Sequence, residues 1–124
     1  MTEKSERLTD VRQLNVWQKT HKLVLDIYEI TKKFPKEEKT ELVSQMRKTA
    51  MAVPINIAEG FMRRSPREKE QYYKSSQASL EELRYYIILS QDIDYIKDGE
   101  SVLDSIEEVA RMLTGLVRSA KSTS

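Results

Sequence analysis

Trp17, Thr20, Val24, Ile27, Thr31 and Phe34 follow one another at alternating spacings of three and four, which lines them along one face of an α-helix. The same repeat returns in Leu42, Met46, Ala50, Val53 and Ile57. It appears again in Tyr72, Tyr73, Ser76, Leu80, Leu83, Ile87 and Ser90, and finally in Val102, Ile106, Val109, Leu113, Leu116 and Ala120. Strand-like alternation is missing, and only three glycines and three prolines interrupt the 124 residues. Four amphipathic helices joined by short connections bury their stripes against one another. The sequence therefore predicts an all-α fold, an antiparallel up-down-up-down four-helix bundle over residues 12–120. The polar residues 1–11 read as a flexible N-terminal arm and residues 121–124 as a flexible tail.

The local signals set the boundaries. The first helix is expected from about Gln13 to Phe34, where Pro35 stops it, and the second from about Lys36. Pro54 sits inside the second. It lacks the N–H that would bond the carbonyl of Ala50, and because the apolar stripe continues through Ile57 and Ala58, a kink is favoured over a clean break. "SPRE" marks the next start, with Ser65 as N-cap, Pro66 at the first helical position and Glu68 placed to complete a capping box. The third helix should end near Asp94 and the fourth begin around Asp98 or Gly99.

Composition narrows the function classes. Cysteine is absent, which removes disulfides, zinc-thiolate sites and thiol catalysis together and suits a reducing compartment. No stretch approaches the ~18 apolar residues of a membrane span, so no membrane role and a cytoplasmic setting are expected. The formal charge is +1, so any nucleic-acid site must be a local patch.

Catalytic and metal chemistry find little to use. Di-iron bundle sites take a Glu-x-x-His pair from each of two helices, whereas here the single histidine, His21, follows Gln18 at that spacing. No phosphate-cradling glycine loop or nucleophile elbow is present. Asn56, Glu59 and Glu82 form a conceivable hard-metal set of the kind a magnesium-dependent nuclease would want. The favoured alternative is structural: with Gln45, Arg47 and Ser79 they would satisfy one another and the carbonyl freed by Pro54. No cofactor, no metal and no enzymatic activity are expected.

Charge patterning points elsewhere. Arg63, Arg64, Arg67, Lys69 and Lys74 face only Glu68 and Glu70, while Arg111, Arg118 and Lys121 face no acid after Ala110. In an up-down bundle these two segments share one pole, and the five acids between Asp98 and Glu108 mark the opposite one. The helix macrodipole explains the acids and the C-terminal bases. It does not explain Arg63, Arg64 and Arg67 near a helix N-terminus. A partner anion, Glu59 or simple solvation would, and a phosphate site built from Arg63, Arg64, Arg67, Arg118 and Lys121 is one expectation. A second concerns self-association, since adjacent apolar residues such as Leu23-Val24-Leu25 on the first helix cannot all hide in one stripe. Tyr72-Tyr73 and the run from Tyr85 to Leu89 give the third helix an apolar surface wider than one stripe, which suits a subunit interface at Tyr72, Tyr73 and Tyr85, although a wide core would also absorb it.

The stretches "LNVWQKTHKLVLDIYEITKKFP", "ELVSQMRKTAMAVPINIAEGFMRRSPRE", "YYKSSQASLEELRYYIILSQDIDYI" and "VARMLTGLVRSAK" together resemble the four helix bundle protein family, whose founding examples are encoded by intervening sequences in bacterial 23S rRNA genes. The matching motif positions are Gln45, Arg47, Pro54, Asn56, Glu59 and Gly60, then Ser79, Glu82 and Leu83. The resemblance implies a four-helix protomer, commonly a homopentamer, in a bacterial cytoplasm, with no established enzymatic activity. It extends more distantly to the accessory variability determinant proteins of diversity-generating retroelements, pentameric bundles that bind nucleic acid. Where the family usually has a glycine before the position of Tyr95, this chain has Asp94.

Overall fold

The computed structural model describes residues 8–122, and among these every long element is a helix: α1 (Asn15–Thr31), α2 (Leu42–Met62), α3 (Pro66–Asp92) and α4 (Gly99–Ser122). Successive helices run in opposite directions. Arg47 on α2 meets Thr31 and Met51 meets Tyr28; Met46 meets Ser90 and Val53 meets Ser76; Gly99 lies against Gln91 and Lys121 reaches Glu70. One core fills the space between them, with Ile27, Met46, Val53, Ile57, Leu83, Ile87 and Leu113 wholly enclosed.

The first boundary departs from expectation. Residues 9–11 belong to a capped turn: Asp10 accepts from the N–H of Arg12 at 2.9 Å, and the Gln13 side chain accepts from the N–H groups of Thr9 and Asp10. Val11 packs on the core, so the bundle begins slightly before residue 12; residues 1–7 lie outside the described residues. At the other end α4 runs to Ser122, past the start expected for the tail.

The α1–α2 connection is longer than a single proline stop. After Thr31 the bonds shorten to Lys33 N–H to Ile30 O and Phe34 N–H to Thr31 O, the tightened pattern of a helix end. A single 3₁₀ turn, Lys36–Glu38, then precedes α2, which starts at Leu42 and not at Lys36. Tertiary contacts hold this segment away from a helical path: the Phe34 and Tyr95 rings pack 5.1 Å apart, and the Tyr95 hydroxyl donates to Glu38 at 2.8 Å.

α2 continues unbroken through the buried Pro54. Beside it, the fully buried Ser76 hydroxyl of α3 donates to the carbonyl of Val53 at 2.7 Å. α3 starts as "SPRE" predicts, with Ser65 Oγ accepting from the N–H of Glu68 at 3.3 Å; the reciprocal Glu68 bond is not formed. α3 closes on a Schellman arrangement: the N–H of Tyr95 donates to Ser90 O and that of Asp94 to Gln91 O, with Asp94 at φ 65°.

Candidate nucleic-acid interface

The corner between α2 and α3 is built around Gly60. A Cβ there would stand 2.6 Å from the Tyr73 ring and 3.2 Å from Tyr72 Cβ, so the absence of a side chain lets α3 cross closely under the end of α2. Tyr73 fills this space and is buried within the single chain. The expectation that it faces a subunit contact is therefore corrected: successive helical residues diverge by about 100°, and of the pair Tyr73 takes the inner position. Tyr72 is half-buried, and Tyr85 alone of the three is well exposed, at 59%.

The arginines of the corner divide into two kinds. Arg63 is held: Nη2 donates to Glu59 Oε1 and to the Tyr72 hydroxyl, both at 3.0 Å, and the guanidinium lies 4.8 Å from the Tyr72 ring centre. The Tyr72 hydroxyl bond, followed by the nearby Glu59, raises its pKa above the usual range. Of the explanations open for Arg63, pairing with Glu59 is the one the geometry supplies. Arg64 and Arg67 are exposed and make no side-chain hydrogen bond or ion pair among the described residues, and the same holds for Arg118 on α4.

The two basic segments do meet. Glu70 of α3 pairs with Lys74 at 2.9 Å and with Lys121 of α4 at 3.7 Å, and its pKa is lowered mainly by Lys74, with Lys121 adding to it. Lys121 is thus partly neutralised, whereas Arg64, Arg67 and Arg118 remain as cations on the same pole. Lys69, counted by sequence among the basic cluster, serves the backbone instead. Its ammonium donates to Gly60 O at 3.2 Å and Phe61 O at 3.0 Å, satisfying the last turn of α2, and partial burial lowers its pKa. The spacing of Lys69 from Gly60 gives no hint of this, since the contact exists only because the chain reverses between them.

The expected polar network separates into independent ties. Arg47 donates to Thr31 Oγ1 and Tyr28 O; Asn56 donates to Ala52 O of its own helix; Glu59 holds Arg63; Glu82 accepts from Thr49 at 3.4 Å and Tyr86 at 3.2 Å. Gln45 is exposed and Ser79 half-buried, and neither side chain bonds another described residue. Helix geometry is the cause. Arg47 and Asn56, nine residues apart, point to opposite sides of α2, and Glu82 pairs at the height of Thr49, roughly 10 Å along the axis from Asn56. Asn56, Glu59 and Glu82 accordingly do not converge, and no group of three or more potential ligands gathers among the described residues. Neither Asn56 nor Ser76 reaches the carbonyl of Ala50, the one that Pro54 leaves unpaired.

A four-helix bundle with one core and a cationic α2–α3 corner is the class these observations define, and no described helix is long and apolar enough to cross a membrane. The chain belongs to the 23S rRNA-intervening sequence protein family, whose family model matches residues 12–115. No curated protein matches it.

Proposed function

We propose that this protein is a non-enzymatic, self-associating bundle of the bacterial cytoplasm, with a pentamer favoured, that binds RNA or another nucleic acid through phosphate contacts at its basic pole. The observation that carries the reading is the unpaired state of Arg64, Arg67 and Arg118 beside the Glu70–Lys121 pair, with two of the arginines set against the dipole of α3. Arg63, already engaged by Glu59, would position the corner more than it contacts phosphate, and Lys121 would contribute only after partial release from Glu70. Such contacts read no sequence, and each phosphate neutralised releases condensed counterions.

Fluorescence anisotropy with a labelled RNA tests this. With about three phosphate contacts per protomer, log affinity should fall with log salt at a slope of about −2 to −3. Changing Arg64→Glu and Arg67→Glu together should weaken binding at least ~10-fold at low salt. Absence of binding at ~50 mM salt, or indifference to the double change, would count against the proposal.

A specific observation supports a second reading, a protein-interaction scaffold without a nucleic-acid role. Met51, Ile55 and Met62 recur on one face of α2, with Ile55 57% and Met62 76% exposed, and Leu25 of α1 is 53% exposed. Capture of a partner protein that persists after nuclease treatment, from a bundle that binds no RNA, would favour it.

A further inference from the structure

A pocket of about 270 Å³ opens at the α1–α2 connection, lined by Thr31, Lys32, Phe34, Pro35, Lys36, Lys39, Val43 and Arg47, with no carboxylate in its wall. Four cations around one concavity, contributed by the end of α1, the 3₁₀ turn and α2, are more than the C-terminal dipole of α1 accounts for, since that effect is confined to its last turn. Lys32 is offset by Glu29, 3.1 Å away. Lys36 and Lys39 are exposed, and their side chains have no partner among the described residues. Glu37 and Glu38 lie between them in sequence but outside the pocket wall: Glu37 is exposed, and Glu38 turns to accept from the Tyr95 hydroxyl.

Arg47 gives the pocket a fixed element. Its guanidinium lies 4.3 Å from the Tyr28 ring centre and is tethered through Nε to Thr31 Oγ1 at 2.9 Å and through Nη2 to Tyr28 O at 3.3 Å. Those two bonds leave three of its five N–H donors unused. A half-buried, pre-oriented arginine flanked by exposed ammonium groups suits a tetrahedral oxyanion, which can accept a forked pair from arginine while lysines neutralise the remaining charge.

We propose that this pocket binds a phosphoryl anion: pyrophosphate or the phosphate tail of a nucleotide. It lies about 22 Å from the end of α2, counted along the helix, and is therefore separate from the basic corner. The proposal stands whether or not that corner binds RNA.

Titration of the full-length protein with inorganic pyrophosphate, followed by amide chemical shifts, tests it. Shifts confined to residues 31–39 and the neighbourhood of Arg47 are expected, saturating below ~10 mM at low salt. Lys36→Glu with Lys39→Glu should weaken binding at least ~10-fold, while Arg64→Glu with Arg67→Glu leaves it unchanged. Because the side chains of Lys36 and Lys39 make no hydrogen bond or ion pair among the described residues, the result does not hinge on a variant that unfolds. ADP binding more tightly than pyrophosphate assigns the pocket to nucleotides, and equal affinity assigns it to phosphates alone. The proposal is overturned by indifference to the lysine pair, by shifts spread over both poles, or by adenosine binding as well as ADP.

Discussion

Asp94 is the one described non-glycine residue with a positive φ, at 65°, and it holds the position where a helix closing on a Schellman turn most often has glycine. An L-residue pays roughly 1–2 kcal/mol for this conformation, somewhat less for aspartate, and glycine returns part of the gain as extra entropy of the unfolded chain. Asp94→Gly should therefore raise stability by about 0.5–1 kcal/mol in urea denaturation. A loss would mean that the aspartate has a role its backbone does not disclose. This position was legible in the sequence, because the departure from the family pattern marked it. Arg63 was half legible: Glu59 four residues earlier is a helical neighbour, but Tyr72 joins only through the corner. Lys69 was not legible, since a cation in a basic run gives no sign that it faces two carbonyls. Nor could one sequence decide between Tyr72 and Tyr73, which Gly60 settles by the room it leaves.

Helices that follow a strict repeat matched expectation to within a few residues, and the connections were where local rules fell short. "SPRE" forms its cap because all of its chemistry is local. Lys36–Glu38 forms a 3₁₀ turn in place of the first turn of α2, and its Glu38 is bonded by Tyr95, far away in sequence. The turn before α1 is held by a complete capping box at Asp10, and the Arg12 side chain, with Nη2 at 2.7 Å, followed by the Arg12 N–H, lowers the Asp10 pKa to about 2. A carboxylate whose folded pKa is depressed supports the fold above its unfolded value, near 3.8, and loses that support as pH falls toward about 2. Amide exchange at Arg12 should accordingly rise, relative to the core, as the solution is taken from pH 4 to pH 2. In Asp10→Asn this acid dependence should vanish.

At the scale of the molecule the bundle was readable, because helix direction is fixed by connectivity; its charge polarity was readable only at the basic corner, since Lys32, Lys36, Lys39 and Arg47 stand at the other end, the one the acids of α4 mark. The outward apolar ridge was legible only at Leu25, within the run Leu23-Val24-Leu25. Leu25 and Ile55 belong to helices whose inner stripes are complete without them, and the surplus on α3 drew attention to tyrosines of which one lies inside. If self-association uses the ridge, Leu25→Glu with Ile55→Glu should shift sedimentation from an oligomer toward the monomer at micromolar concentration while leaving the helical circular dichroism intact. A wild-type chain that sediments as a monomer would remove the idea. The buried hydroxyl of Ser76 has a different consequence. Two helices that meet only through aliphatic side chains can slip past each other by a turn with little penalty, because one methyl group fits where another did. A hydroxyl enclosed at 0% exposure must keep an acceptor, and a slip would cost Ser76 its bond across the helix pair to Val53 O. Ser76 thus acts as a detent between α2 and α3, keeping Gly60 opposite Tyr73 and the arginine corner at one height in every copy of the chain.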